Sequence, residues 1–322
     1  MTLVTAPKKP VRHAPAEPPD TPRTLGGTRR SRAQQRAGWL LSAPFLALFG
    51  TFMAFPVLAT LAMSFSDFGL RDVTDPLGAD FVGLSNYTRL FGDETFRTAL
   101  LNTGVFVVAG VPLTVGAGLV AAVLLDRGVD RMRTFFRVGF YAPVVTSIVA
   151  VAVVWRFVLD PADGPIASLA AEAGLTAPDF LGSDALALPS LIAMGVWRNM
   201  GTAMVLFLAG LQAVPTEVRE AARIDGAGAW AEFRRITVPL LRPTLLYAAV
   251  MTTIGFLNVF EEPFVMTGGG PDNSTLTVSL LMYEEGFGYF RMGTASAMAY
   301  VLFTVVLAVT VLQLRLLKDN TR

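Results

Sequence analysis

The sequence predicts an all-α integral membrane fold with six transmembrane helices, and three observations predict it. Of 322 residues, 53% are hydrophobic and only 16% are charged, whereas a soluble domain carries roughly 25% charged residues. The apolar residues gather into six runs of about 20 residues, the length an α-helix needs to cross a bilayer. No ten-residue alternation of a membrane barrel is present, so helices are left to satisfy backbone groups in lipid.

The elements follow in order. Residues 1–37 are rich in Pro, Arg and small polar residues. They bury too little apolar surface to offset the entropy of ordering, which predicts a disordered basic tail. No short apolar core with a small-residue cleavage site lies near the start, so a signal peptide is not expected. Residues 38–322 form the membrane domain. Its spans are approximately Trp39–Phe65, Ala99–Leu125, Val138–Leu159, Ala187–Ala213, Leu241–Met266 and Thr294–Leu316.

Charge orients the spans. The tail, the 126–137 and 214–242 connections and the C-terminal end hold 20 of the 26 Lys and Arg residues. The other three connections hold only Arg71, Arg89, Arg97 and Arg291, against 14 acidic residues. The positive-inside rule places both termini and the 214–242 loop in the cytoplasm of a multi-pass bacterial inner-membrane protein.

Composition also excludes chemistry. There is no cysteine, and the one histidine, His13, lies in the tail, so thiolate or zinc sites and histidine general bases are not expected. Lysine occurs only at Lys8, Lys9 and Lys318, none in a G-x-x-x-x-G-K-[ST] loop; the chain cannot itself be a P-loop ATPase.

The 214–242 connection is the most distinctive segment. It reads Glu220-Ala221-Ala222-Arg223-Ile224-Asp225-Gly226-Ala227 and continues through Phe233, Ile236, Pro239 and Pro243. Thr216 is the expected N-cap of a short helix reaching about Ala227. Gly226 and Gly228 permit a turn. A second short helix carries Trp230, Phe233 and Ile236, and Pro239 and Pro243 separate it from the fifth span. The expected product is a helix-turn-helix knob rimmed by Arg219, Arg223, Arg234 and Arg235. An ordinary amphipathic loop resting on the bilayer is the plainer alternative.

This spacing resembles the cytoplasmic coupling loop of permease subunits in binding-protein-dependent ABC importers. The resemblance covers residues 38–316. Phe81-Val82-Gly83-Leu84-Ser85-Asn86-Tyr87 looks like the Phe-x-Gly-Leu-x-Asn-Tyr segment of carbohydrate permeases. Trp197, then Leu208-Ala209-Gly210-Leu211-Gln212 and Pro215, resembles the span leading into their coupling loop. Thr267-Gly268-Gly269-Gly270-Pro271, followed by Ser274-Thr275, is similar to their Thr-x-Gly-Gly-Pro segment and points to the MalF/UgpA-like subunit type. Three glycines before a proline also mark a loop in any protein.

The resemblance implies the partners. They are a second permease subunit forming a heterodimer, two ATP-binding cassette ATPases, and an extracytoplasmic solute-binding protein that delivers a sugar-like substrate. No cofactor is implied for this chain, because the ATPases bind the ATP. The ATPase-coupling residues would be Glu220, Ala221, Ala222, Asp225, Gly226, Phe233, Ile236 and Pro239, with Glu220 pairing a basic residue of the ATPase. The solute would be of the oligosaccharide or glycerol-phosphate class.

Charges within spans are costly and tend to line cavities. Arg198 lies roughly 16 Å into the fourth span at about 1.5 Å per residue, and Glu261 and Glu262 lie late in the fifth. Arg156, near the end of the third, is expected to snorkel. Landmarks of the resemblance place the substrate pathway at Arg198, Asn199 and Thr202 on one span. On the other it runs along Thr252, Gly255, Phe256 and Val259, whose spacing puts them on one helix face. An ion pair of Arg198 with Glu261 or Glu262 is the structural alternative, and an arginine in a passage could instead favour an anionic solute.

Two other classes compete. An intramembrane enzyme needs paired acids, a Ser–His pair or a metal cluster, and adjacent Glu261 and Glu262 are expected on different sides of a helix. A stand-alone secondary carrier commonly shows internal repeats, and none aligns the halves here.

Overall fold

The computed structural model describes residues 32–75, 78–127 and 130–318. Most of the expected tail, residues 1–31, lies outside the described residues. The chain divides into two units, 1–56 and 57–322. In the first, α1 (Arg32–Phe49) starts several residues ahead of the expected span and leads into a π-helical turn, Gly50–Ala54.

The second unit is helical throughout; among the described residues its one β feature is an isolated bridge between Ser66 and Phe81. In chain order its elements are α2 (Phe55–Ser64, whose first two residues belong to the first unit), α3 (Ser85–Gly92), α4 (Glu94–Arg127), α5 (Asp130–Val145), α6 (Ile148–Val158), α7 (Pro165–Glu172) and α8 (Asp184–Gln212). Then come α9 (Thr216–Ile224), α10 (Ala229–Glu232), α11 (Val238–Leu240), α12 (Arg242–Leu257), α13 (Glu261–Met266), α14 (Val278–Tyr283) and α15 (Met292–Lys318).

Four stretches are long and apolar enough to cross a membrane: Gly38–Ser64, Glu94–Asp126, Asp184–Gln212 and Met292–Leu316. Two bent pairs bring the number to six if each is one crossing. In one of them, Met132–Val145 and Ile148–Val158 meet at 100°. The third span is therefore not the single straight run that Val138–Leu159 suggested. Pro143 removes a backbone donor inside α5, and Thr146 Oγ1 donates to the Ala142 carbonyl at 2.9 Å. The chain turns at Ser147 and resumes as α6. In the other pair, Ala229–Leu240 and Arg242–Leu257 meet at 69°.

The fifth span departs further from expectation. Sixteen-residue α12 measures about 24 Å. It stops at Leu257, and α13 begins only at Glu261. The interruption is completed by side chains: Asn258 Nδ2 donates to Ile254 O at 2.8 Å, and Thr277 Oγ1 donates to Val259 O at 2.9 Å.

The core forms where α4, α8 and α12 meet. Phe106 and Phe256 pack edge to face with centroids 5.4 Å apart, beside buried Leu191 and Met194. Close approach depends on a glycine: a Cβ on Gly118 would lie 2.5 Å from that of Ala203. Small residues let helix backbones approach where lipid provides no hydrophobic drive.

Phe81–Tyr87 is a clasp on the end of α2. Gly83, at φ +58°, turns the chain. Buried Asn86 donates through Nδ2 to the carbonyls of both Ser64 and Ser66 at 2.9 Å. Tyr87 Oη donates to Ser64 Oγ at 2.8 Å. Thr267–Thr275 is bound in a similar way. Thr267 Oγ1 and Thr275 Oγ1 lie 2.7 Å apart, Thr275 Oγ1 donates to Gly270 O, and Asn102 of α4 donates to the carbonyls of Asn273 and Leu276.

Replacing Asn86 by Ala should orphan two carbonyls and cost about 1–3 kcal/mol. The thermal midpoint of the detergent-purified protein checks this; an unchanged midpoint would mean that water replaces the amide.

Candidate functional site: a cavity and a connecting knob

The 214–242 connection folds as two short helices around a turn, as expected, with differences in detail. Thr216 begins α9 rather than capping it, and α9 ends at Ile224, short of Ala227. Asp225 N–H donates to Ala221 O at 3.0 Å and Ala227 N–H to Ala222 O at 2.9 Å, across Gly226 at φ +78°. This is the left-handed glycine stop that satisfies a helix's last carbonyls. No neighbouring atom lies within 4 Å of a Cβ on Gly226, so its requirement is conformational. Glu220, Ala221, Asp225 and Gly226 are exposed, while Ala222 is half-buried.

The second half begins with α10 and passes through a π-helical turn, Phe233–Thr237, in which Val238 N–H reaches back to Phe233 O. Pro239, which has no N–H to give, follows that wide turn and lies inside α11 rather than ending it. The break comes at Leu241. Phe233, Ile236 and Pro239 are half-buried, and the ring of Trp230, 71% exposed, packs on Phe233 at 5.6 Å.

One of the four expected rim arginines is not on the rim. Arg219 turns inward: its Nη1 donates to Asp126 Oδ2 at 3.0 Å and its Nη2 to Leu211 O at 3.3 Å. Arg133 of α5 approaches the other Asp126 oxygen at 3.4 Å and donates to the Leu125 carbonyl at 2.8 Å. Asp126 thus joins α9, the end of α4 and the start of α5, and the two cations also occupy carbonyls near the ends of α4 and α8, where positive charge is favoured. Arg234 and Arg235 are exposed; the side chain of Arg223 lies outside the described residues. Sequence reading missed Asp126. The available signal was an acidic residue at the end of a span within an otherwise basic connection.

The expected pathway residues converge. Arg198, Asn199 and Thr202 of α8, Thr252, Gly255 and Phe256 of α12, and Val259 beyond it all line one cavity of about 260 Å³. Ile148, Leu206 and Met251 add apolar wall, and Asn258, Glu261 and Glu262 line it from the interrupted segment. Glu261 and Glu262 were expected on different sides of a helix. Both line the cavity instead, because they follow the break rather than sitting within a continuous span. Glu262 is buried.

Among the described residues, no ion pair within 4.0 Å joins Arg198 to either glutamate. Arg198 Nε is buried without a hydrogen-bond partner. The structural ion pair weighed from sequence is therefore absent. Asn199 and Asn258 each donate through Nδ2 to a carbonyl of their own chain four residues back, Gly195 and Ile254, both at 2.8 Å. Arg156 does not simply snorkel: its Nη1 donates to Val265 O at 3.3 Å, tying α6 to α13.

Asp126→Ala should leave Arg219 and Arg133 without their shared carboxylate. Hydrogen exchange is expected to quicken about tenfold over residues 216–224 and stay unchanged over 190–208. Equal protection of both segments in the variant and the parent would remove Asp126 as the anchor.

Comparison with known proteins places this geometry among relatives. Residues 114–320 match the family model described as binding-protein-dependent transport system inner membrane component. The arabinooligosaccharides transport system permease protein AraP of Bacillus subtilis (strain 168) is 31% identical over 96% of this chain and 97% of its own length. The lactose transport system permease protein LacF of Rhizobium radiobacter is 34% identical over 85% of this chain and 91% of its own. A chain of a bacterial alginate ABC transporter, solved in complex with an alginate pentasaccharide-bound periplasmic protein, shares the fold. It has a TM-score of 0.77, 24% identity, and coverage of 91% of this chain and 99% of that one.

Proposed function

The chain belongs to the family of binding-protein-dependent transport system inner membrane components, and from that premise we propose that it passes a sugar or sugar-derived solute into the cytoplasm of a bacterial cell. It acts as one permease subunit beside a second, different one. Two separate ATPase subunits bind and hydrolyse the ATP, and an extracytoplasmic binding protein supplies the solute. Both termini and the 214–242 knob face the cytoplasm, following the charge asymmetry of the connections.

The observation that carries this reading is the joint placement of cavity and knob on the same two spans. Helices α8 and α12 line the cavity with their middles and lead directly into the knob between them. Interrupted backbone at membrane depth is tolerated where it is buried or lines a polar cavity, and the Asn258–Phe260 interruption does so here. Names of the relatives support the solute class: AraP is named for arabinooligosaccharides and LacF for lactose.

Mechanically, the exposed Glu220-Ala221 edge and the Gly226 turn enter the ATPase, with Glu220 meeting a basic residue. The half-buried Phe233, Ile236 and Pro239 seat the knob against its own chain. ATP-driven closure of the ATPases draws the two knobs together, and α8 and α12 carry the movement to the cavity walls. Arg198 donates to solute hydroxyls and Phe256 offers a ring face to a sugar's C–H groups.

Two substitutions test the knob. Glu220→Ala removes an exposed carboxylate and should leave membrane insertion intact. Gly226→Val forces a β-branched residue into left-handed backbone at about 1–2 kcal/mol. Each is expected to lower solute uptake by about tenfold or more while the complex still assembles. Normal uptake and normal ATPase association in both would rule the coupling role out.

Gly255→Leu tests the cavity. No atom lies within 4 Å of a Cβ on Gly255, so a larger side chain fills the hollow without a clash. Uptake should fall severely with expression and ATPase assembly unchanged; undiminished uptake would place the passage elsewhere.

A further inference from the structure

We propose that the cavity selects an uncharged, hydroxyl-rich solute and excludes anions such as glycerol phosphate or an acidic polysaccharide. This rests on the reading of the cavity as the solute passage.

Its polar lining is rich in acceptors and nearly lacks free donors. Glu261 and Glu262 contribute two carboxyl groups from the interrupted segment. Asn199 and Asn258 have already used their amide nitrogens on the carbonyls of Gly195 and Ile254, leaving their Oδ1 atoms to face a ligand. Arg198 is the one cation lining the hollow, and its Nε is buried and unpartnered.

A sugar fits this set from both sides. Each hydroxyl can donate to a carboxyl or amide oxygen and accept from the guanidinium. A phosphate or uronate does not fit. Ionised, its charged group offers acceptors only, and those acceptors would face the Asn and Glu oxygens. Nor is there surplus positive charge: one ionised carboxyl already matches Arg198, and two exceed it. An anion in the hollow would therefore leave acceptors opposed to acceptors in a site of low dielectric, where an unmade hydrogen bond is most costly. The unpaired guanidinium, which taken alone invites an anion, is outweighed by its surroundings.

The test uses the intact complex of both permeases and both ATPases in nanodiscs, without the binding protein, so that only the transmembrane part does the selecting. Thermal midpoints are measured with lactose, an arabinose trisaccharide, sn-glycerol 3-phosphate and an alginate pentasaccharide. A ligand that binds only the folded state raises the midpoint with concentration. The parent complex is expected to respond to the two neutral sugars and not to the two anions. Replacing both glutamates, E261Q/E262Q, should raise the apparent affinity for the anions by about tenfold or more.

Anions stabilising the parent as strongly as the neutral sugars would overturn the proposal, as would continued exclusion of anions by E261Q/E262Q. Gly255→Leu separates the two levels of inference. If all responses vanish in that variant, the cavity is the binding site and only the charge selection is at issue. If sugar responses persist in it, or no solute shifts the parent complex, the cavity reading itself fails and the charge proposal with it.

Discussion

In hydrocarbon, every backbone N–H and C=O has to find its partner within the protein, and that constraint decides where this chain is helical and where it can break. Three interruptions are each completed by polar side chains. Thr146 serves the bend between α5 and α6. Asn258 and Thr277 serve the gap between α12 and α13, and Asn86 with Tyr87 serves the end of α2. The gap between α12 and α13 opens onto the cavity. Its residues bring the pocket most of its charge, which a continuous helix would have distributed around its circumference.

The same economy links cavity and knob. Contact between α4 and α8 depends on bare backbone at Gly118 against Ala203, which makes that pair a close-packed unit. Asp126, at the end of α4, then receives Arg219 from the knob and Arg133 from α5. A displacement of α9 is thereby felt by α4 and α5 through ionic contacts as well as by α8 and α12 through the chain. The connection resembles a rigid fitting more than a surface loop.

Some local motifs acquire a physical meaning in the structure. Phe81–Tyr87 is recognisable as a string of letters, yet its work is done by two side chains, Asn86 and Tyr87, that fasten one end of α2. Thr267–Thr275 is likewise a hydrogen-bonded loop, in which two threonine hydroxyls meet each other and Asn102 reaches in from α4. Neither fastening can be read from spacing, because the partners lie about 20 residues away in one case and 171 in the other.

The sequence by itself determined the class of fold, the number of spans, the turn at Gly226 and the residues that share the α12 face. These depend on local properties: run length, charge bias, glycine conformation and helical period. Even the seven pathway positions were legible, since resemblance supplied two spans and periodicity aligned one of them. Only the tertiary structure decided that Arg219 turns inward to Asp126, that α5 and α6 meet at 100°, and that Glu261 and Glu262 look into one hollow. Each of these depends on where a distant carbonyl or carboxylate lies, and a one-dimensional pattern carries no record of that distance.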